Sequence, residues 1–191
     1  MIITSTIEAH EGRDVAVVDL LNTFLDADNN EQTLVLLKEK LAELMVQIDP
    51  QMYRKHIITS SKGEPMLYVR LSKALYGLLH SSLLFYRKLR AELEDFGFTV
   101  NPYDPCVANK IINDSQMTVT WHVDNIKISH KDSRELTKCI KRFGDIYGVR
   151  MTIHRGKVHD YLGMDLYFSI PKVLNIGMIK YIKKIQEDFL E

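Results

Sequence analysis

The stretch that decides the fold is MTVTWHVDNIKISH, residues 117–130. Apolar and polar residues alternate up to His122-Val123-Asp124-Asn125, and the alternation then resumes. A period of two on both sides of a short polar break is the pattern of two antiparallel strands joined by a tight turn. The tip carries an aspartate, Asp124, with an asparagine after it. Asp-Asn is also a good turn dipeptide in any hairpin, so the pair alone does not fix a role.

A second hairpin precedes it: CVANKII and QMTVTW flank Asn113-Asp114-Ser115, a turn signal. Asp132 and Glu135 then resemble a capping box, followed by Leu136, Ile140, Phe143 and Tyr147 at helical spacing and closed by Gly148. Upstream, DVAVV at 14–18 reads as a buried strand ending at Asp19. Apolar residues from Gln32 to Ile48 fall at helical spacing, and Asp49-Pro50 stops them. PMLYVRL at 65–71 reads as a strand. Lys73 to Phe96 reads as one long amphipathic helix, with Gly97 as the residue after its cap. VRMTIHR, YLGMDLYFS and KVLNIGM are further strand candidates, and the tail from Met178 is helical. HRGKVHD at 154–160 reads as a polar hairpin turn without a defined ligand set. Helices separate some strands and hairpins join others, which predicts an α+β sheet with helices packed on one face.

The bulk numbers exclude several classes. With 191 residues, 46% hydrophobic and 26% charged, the chain can bury a sizeable core. Formal net charge is zero, so charge gives no general support for nucleic-acid binding, although a local basic groove is compatible with it. Two cysteines, Cys106 and Cys139, are too few for a disulfide scaffold. There is no secretory leader pattern at the N-terminus, and ALYGLLHSSLLFY is too short and too broken to span a bilayer. A soluble intracellular protein without a membrane partner is expected.

Chemistry enters at Asp19 and Asp124. A strand end and a neighbouring hairpin tip of one sheet bring two carboxylates to the same edge, the usual cradle for Mg²⁺. On spacing alone the structural reading is the stronger one: Asp19 as a helix-cap or turn aspartate, and Asp124-Asn125 as a turn dipeptide.

Four segments occur in order: VVDLLNTFL (17–25), RLSKALYGLLHSSLLFYRKL (70–89), WHVDNIKISH (121–130) and DYLGMDL (160–166). With the intervening GFTVNPYDPCVANK, they resemble the palm motifs of reverse transcriptases of copia-type retrotransposons, over essentially the whole chain. The resemblance implies a palm built on a ferredoxin-like βαββαβ sheet, with incomplete fingers and the start of a thumb. It places the palm and a residual fingers segment at 1–155, and a primer-grip-like hairpin with the start of the thumb at 156–191. The family's fingers strands lie upstream of the first motif, so the chain reads as a piece of a longer pol polyprotein.

The resemblance also implies roles. Asp19 and Asp124 are the catalytic metal ligands for Mg²⁺, with Mn²⁺ as an alternative ion. Phe24 lies under the sugar of the incoming dNTP and excludes a 2′-hydroxyl; an ordinary core aromatic is the competing reading. Tyr76 and Gly77 of KALYGL, with His80 and Ser81 a turn later, face nucleotide or template; the family favours an amide or basic residue near position 80. Tyr161, Leu162, Gly163 and Met164 match the hairpin that grips a primer's 3′ end, and a structural hairpin explains them equally well. Asn125 stands where the family has its second metal-binding aspartate. An amide offers a hard cation a neutral oxygen and no charge. The implied activity is therefore RNA-templated dNTP addition to a primer, impaired in this chain. The alternative is a non-catalytic remnant that at most binds nucleic acid. Basic residues recur at Arg87, Lys88, Arg90, Lys138, Lys141, Arg142, Lys180, Lys183 and Lys184, as phosphate contacts or as solvated helix faces.

Overall fold

A computed structural model describes residues 1–21, 25, 27–29, 31–78 and 80–189. The elements run α1 (Ile2–Glu11), β1 (Asp14–Leu20), β2 (Leu34–Lys38), α2 (Lys40–Ile48), α3 (Pro50–Tyr53), β3 (Ile58–Thr59) and β4 (Pro65–Arg70). They continue with α4 (Ser81–Asp95), β5 (Thr99–Val100), β6 (Val107–Ile112), β7 (Ser115–His122), β8 (Asn125–His130) and α5 (Ser133–Tyr147). The last are β9 (Met151–Arg155), β10 (Val158–Tyr161), β11 (Met164–Tyr167), β12 (Asn175–Gly177) and α6 (Ile179–Asp188). Two compact units result, Met1–Thr23 with Tyr86–Glu191, and Phe24–Phe85; the division falls inside α4.

The first unit is built on a six-stranded antiparallel sheet in the order β5-β6-β7-β8-β1-β9. Its central strands are buried on both faces, one apolar and the other carrying Thr118, Thr120, Lys127 and Ser129 beside Val15 and Val17. On one face Ala16, Val18, Ile126, Ile128 and Val119 are fully buried, and α5 packs on β1 and β8. Leu136, Ile140, Phe143 and Tyr147 are the buried stripe of α5, as their helical spacing predicts. Phe143 meets Phe96 edge-on, with ring centres 5.5 Å apart, and Tyr86 stacks on Trp121 at 6.1 Å. On the other face Val15 and Val17 join Ala9 of α1 with Tyr161, Leu166 and Phe168, around the small antiparallel sheet β10-β11-β12. The helix α4 ends in a Schellman motif: Gly97 has φ 81°, and the Phe98 amide donates to the Leu93 carbonyl at 3.0 Å.

The second unit holds the antiparallel sheet β2-β4-β3 with α2 and α3. Asp49 caps α3 by accepting from the Met52 amide, 2.9 Å, with Pro50 at the first helical position.

Two helices expected from periodicity are shorter than expected. Residues 34–38 form β2, paired with β4 from Leu34↔Arg70 to Lys38↔Met66, and only 40–48 are helical. Four consecutive apolar residues fit either element, and Glu39 at φ 48° breaks the chain between them. Likewise 73–78 and residue 80 are not part of α4, because Gly77 turns the chain at φ 88°. HRGKVHD contributes the end of β9 and most of β10 rather than a turn alone. The helix α1 carries no strong sequence signal, since five of its ten residues are isoleucine or threonine.

Candidate active site

Asp19 lies one residue before the end of β1, directly opposite Asn125 in the antiparallel register with β8. The β7–β8 hairpin closes between His122 and Asn125, so Val123 and Asp124 are the two turn residues. Val123 has φ 56°, a left-handed conformation that a β-branched residue rarely adopts. Only the first turn residue has positive φ, which is the type II′ pattern that normally takes glycine there. The strain is held in place from two sides: the ladder continues below the turn, and the Leu20 amide donates to the Asp124 carbonyl at 3.1 Å. That bond ties the hairpin tip to the end of β1. Strain so over-determined marks a position whose geometry matters.

Asp19, Asp124 and Asn125 are therefore brought together, each half-buried. The Asn125 amide donates to Asp124 Oδ1 at 3.3 Å. Burial first, and the Asp124 charge second, push the Asp19 carboxyl above the usual aspartate range. Two neighbouring carboxylates repel each other, which favours either a proton or a cation between them. No group of three or more His, Cys, Asp or Glu side chains gathers anywhere among the described residues. The donor set still suits Mg²⁺, which commonly takes one or two protein carboxylates and completes its octahedron with water and phosphate oxygens. The neutral oxygen of Asn125 is the weakest member of that set.

Phe24 lies outside the described residues. Tyr76, Gly77 and His80 are exposed on the irregular segment of the second unit. A β-carbon built on Gly77 meets nothing within 4 Å, so its backbone angle, not crowding, demands glycine. Ser81 is different: it is buried, and its hydroxyl both accepts from the Leu75 amide, 3.1 Å, and donates to the Leu75 carbonyl. It braces that segment from inside.

In the first unit, Tyr161 is only 2% exposed, and its hydroxyl donates to the Thr120 carbonyl at 3.4 Å. Burial pushes its phenol up to about 12. Its ring is core, so only its backbone is left to meet a nucleic acid. Leu162 and Gly163 form the exposed β10–β11 turn, both with positive φ, and Tyr181 of α6 packs 3.3 Å from where a Gly163 β-carbon would sit. Many of the candidate phosphate-binding cations are engaged: Lys88 with Glu92, Arg90 with Glu94, Lys138 with Glu135, Arg142 with Asp95 and Lys180 with Asp165.

One group was missed by the sequence reading. Lys127, two residues beyond Asn125, is fully buried and pairs with Glu8 of α1, itself 1% exposed; Ser5 accepts a further bond at 3.0 Å. Burial lowers the Lys127 ammonium's affinity for its proton and Glu8 opposes that. The signal was a lysine in an otherwise inward-facing run, IKIS.

Two aspartates thus stand at one end of the six-stranded antiparallel sheet. The sequence profile described as reverse transcriptase (RNA-dependent DNA polymerase) matches residues 3–190. The chain belongs to that reverse transcriptase family, in its copia-type branch, and has its palm-like α+β fold. Among curated proteins, no relative matches the sequence. Among solved structures, apo telomerase from Candida tropicalis is similar at 10% identity and TM-score 0.49, over 92% of this chain and 34% of that one. Telomerase from Candida albicans in complex with a fragment of telomeric RNA is similar at 10% identity and TM-score 0.48, again over 92% and 34%. The chain thus spans about a third of the length of those telomerases. No helix among the described residues is long and apolar enough to cross a membrane.

Proposed function

We propose that this chain is the catalytic palm of an RNA-directed DNA polymerase in which Asp19 and Asp124 hold the divalent cation and Asn125 slows the reaction. The observation that carries the reading is the enforced proximity of Asp19 and Asp124, with the Asp19 carboxyl pushed upward partly by its partner's charge. A cation bound there, Mg²⁺ or Mn²⁺, stabilises the charge that develops on the attacking and leaving oxygens. The chain's own residues position: β1 and the strained turn fix the two carboxylates, and the Asn125 amide orients Asp124 by its bond at 3.3 Å. Substrates in this reading are a dNTP, an RNA template and a primer. Tyr76, Gly77 and His80 serve as the exposed surface for nucleotide or template, with Phe24 as the sugar gate. The turn at Leu162-Gly163 and Met164 serves the primer. Residues 1–155 are read as palm with a fingers segment and 156–191 as primer grip and start of the thumb, inside an intracellular pol polyprotein.

Primer extension on an RNA template with Mg²⁺ or Mn²⁺ tests this. Slow incorporation, abolished by Asp19→Ala and raised by Asn125→Asp, is expected. Incorporation that survives Asp19→Ala refutes the assigned site. No incorporation by either the natural chain or Asn125→Asp supports the second reading, a remnant that only binds nucleic acid; that reading draws on the neutral amide at position 125.

A further inference from the structure

Two histidines flank the turn that joins β9 to β10. His154 is exposed near the end of β9; His159, five residues on, is fully buried in β10. Their rings stand nearly perpendicular, with centres 5.3 Å apart, and their Nδ1 atoms approach to 3.4 Å. The other nitrogen of His159, Nε2, lies 2.9 Å from the Gly156 carbonyl. A carbonyl only accepts, so Nε2 carries the proton and Nδ1 of His159 presents a bare lone pair toward His154. The Phe168 ring, edge-on at 5.9 Å, fixes the imidazole from behind.

Two features match a metal ligand pair. Tetrahedral coordination with Zn–N bonds near 2.0–2.1 Å sets ligand nitrogens about 3.3–3.4 Å apart, and the Nδ1 atoms are at 3.4 Å. Metal-bound histidines also typically donate their second N–H to a carbonyl or carboxylate, which fixes tautomer and ring orientation; Gly156 does this for His159. His154 lines an open cleft of about 440 Å³ with Arg155, Lys157, Asp160, Asp165 and Lys180, so an ion reaches the pair from the His154 side, with His159 buried behind it. Arg155 is itself neutralised by Asp14.

We propose that His154 and His159 form a two-histidine chelate for a borderline-soft divalent transition metal such as Zn²⁺, its remaining positions filled by water. Imidazole selects Zn²⁺, Ni²⁺ or Cu²⁺ and leaves Mg²⁺ to oxygen ligands. The site is thus chemically distinct from the Asp19–Asp124 pair and independent of any polymerase activity. It staples β9, which pairs with the Asp19-bearing β1, to β10, which begins the small sheet.

The test is titration of the tag-free full chain with Co²⁺, in excess Mg²⁺, followed by its visible absorption and by the melting temperature in Zn²⁺. One ion per chain and a rise in melting temperature are expected. Both should disappear in His154→Ala, an exposed change that leaves the core intact, while Asp19→Ala should keep both. Absence of binding by the natural chain, or binding retained by His154→Ala, overturns the site.

Discussion

At the residue scale, two positions are held against their own preference. Val123 sits at φ 56° in a turn that favours glycine. Such backbone strain costs about 1–3 kcal/mol, and glycine in its place recovers part of it at an entropic cost of about 0.5–1 kcal/mol. Val123→Gly should therefore stabilise the chain by up to about 1 kcal/mol in urea unfolding, while weakening Mg²⁺ binding because Asp124 is less tightly fixed. Asp19 is the second position. A raised carboxyl binds more protons folded than unfolded, so stability falls as pH rises from the ordinary aspartate range through the raised value. Asp19→Asn removes that term. It should equal the natural chain below the ordinary aspartate range and exceed it at neutral pH, measured as urea midpoints across the pH series without divalent cation. Mg²⁺ should then narrow or reverse the gap, because only the natural chain gains a ligand.

At the scale of elements, the hairpin that carries Asp124 depends on α1. The Lys127–Glu8 pair joins β8 to that helix with both side chains almost wholly buried. Removing one partner leaves an uncompensated buried charge, so Lys127→Met should cost about 3–5 kcal/mol. Adding Glu8→Leu should restore most of the loss, since replacing a whole buried pair with apolar groups is often neutral. A double-mutant cycle in urea measures both, and strict additivity of the two changes would sink the coupling. This pairing also shows where sequence reading stops. The two hairpins, α5 with its buried stripe and the Gly97 stop were legible because period, turn residues and caps are local. The helix α1 was not, since its reason for existing lies 119 residues away. KALYGL passed for helix because its apolar spacing is helical, yet Gly77 and the Ser81 brace override it. Asp19 and Asp124 were legible as a pair through motif order; their register, and the strain at Val123, were not.

At the scale of the whole molecule, a formal net charge of zero gives no net charge to draw a polyanion to this chain. If it binds template–primer as proposed, attraction must come from local cations, and many of these already have carboxylate partners. Lys183 and Lys184 lie on α6, a helix with no buried residue, next to the Leu162-Gly163 turn that its Tyr181 covers. Each phosphate neutralised releases condensed counterions, which lowers log K by about 0.9 per decade of salt for duplex contacts. Affinity for an RNA–DNA duplex, measured by fluorescence anisotropy over a salt series, should therefore fall with a shallow slope. Lys183→Ala with Lys184→Ala should make that slope shallower by up to about 2 and should weaken binding similarly across sequences, because phosphates carry no base identity. An unchanged slope in the double variant would show that α6 does not touch the backbone, and would move the search for the phosphate track to the cations of α4 and α5.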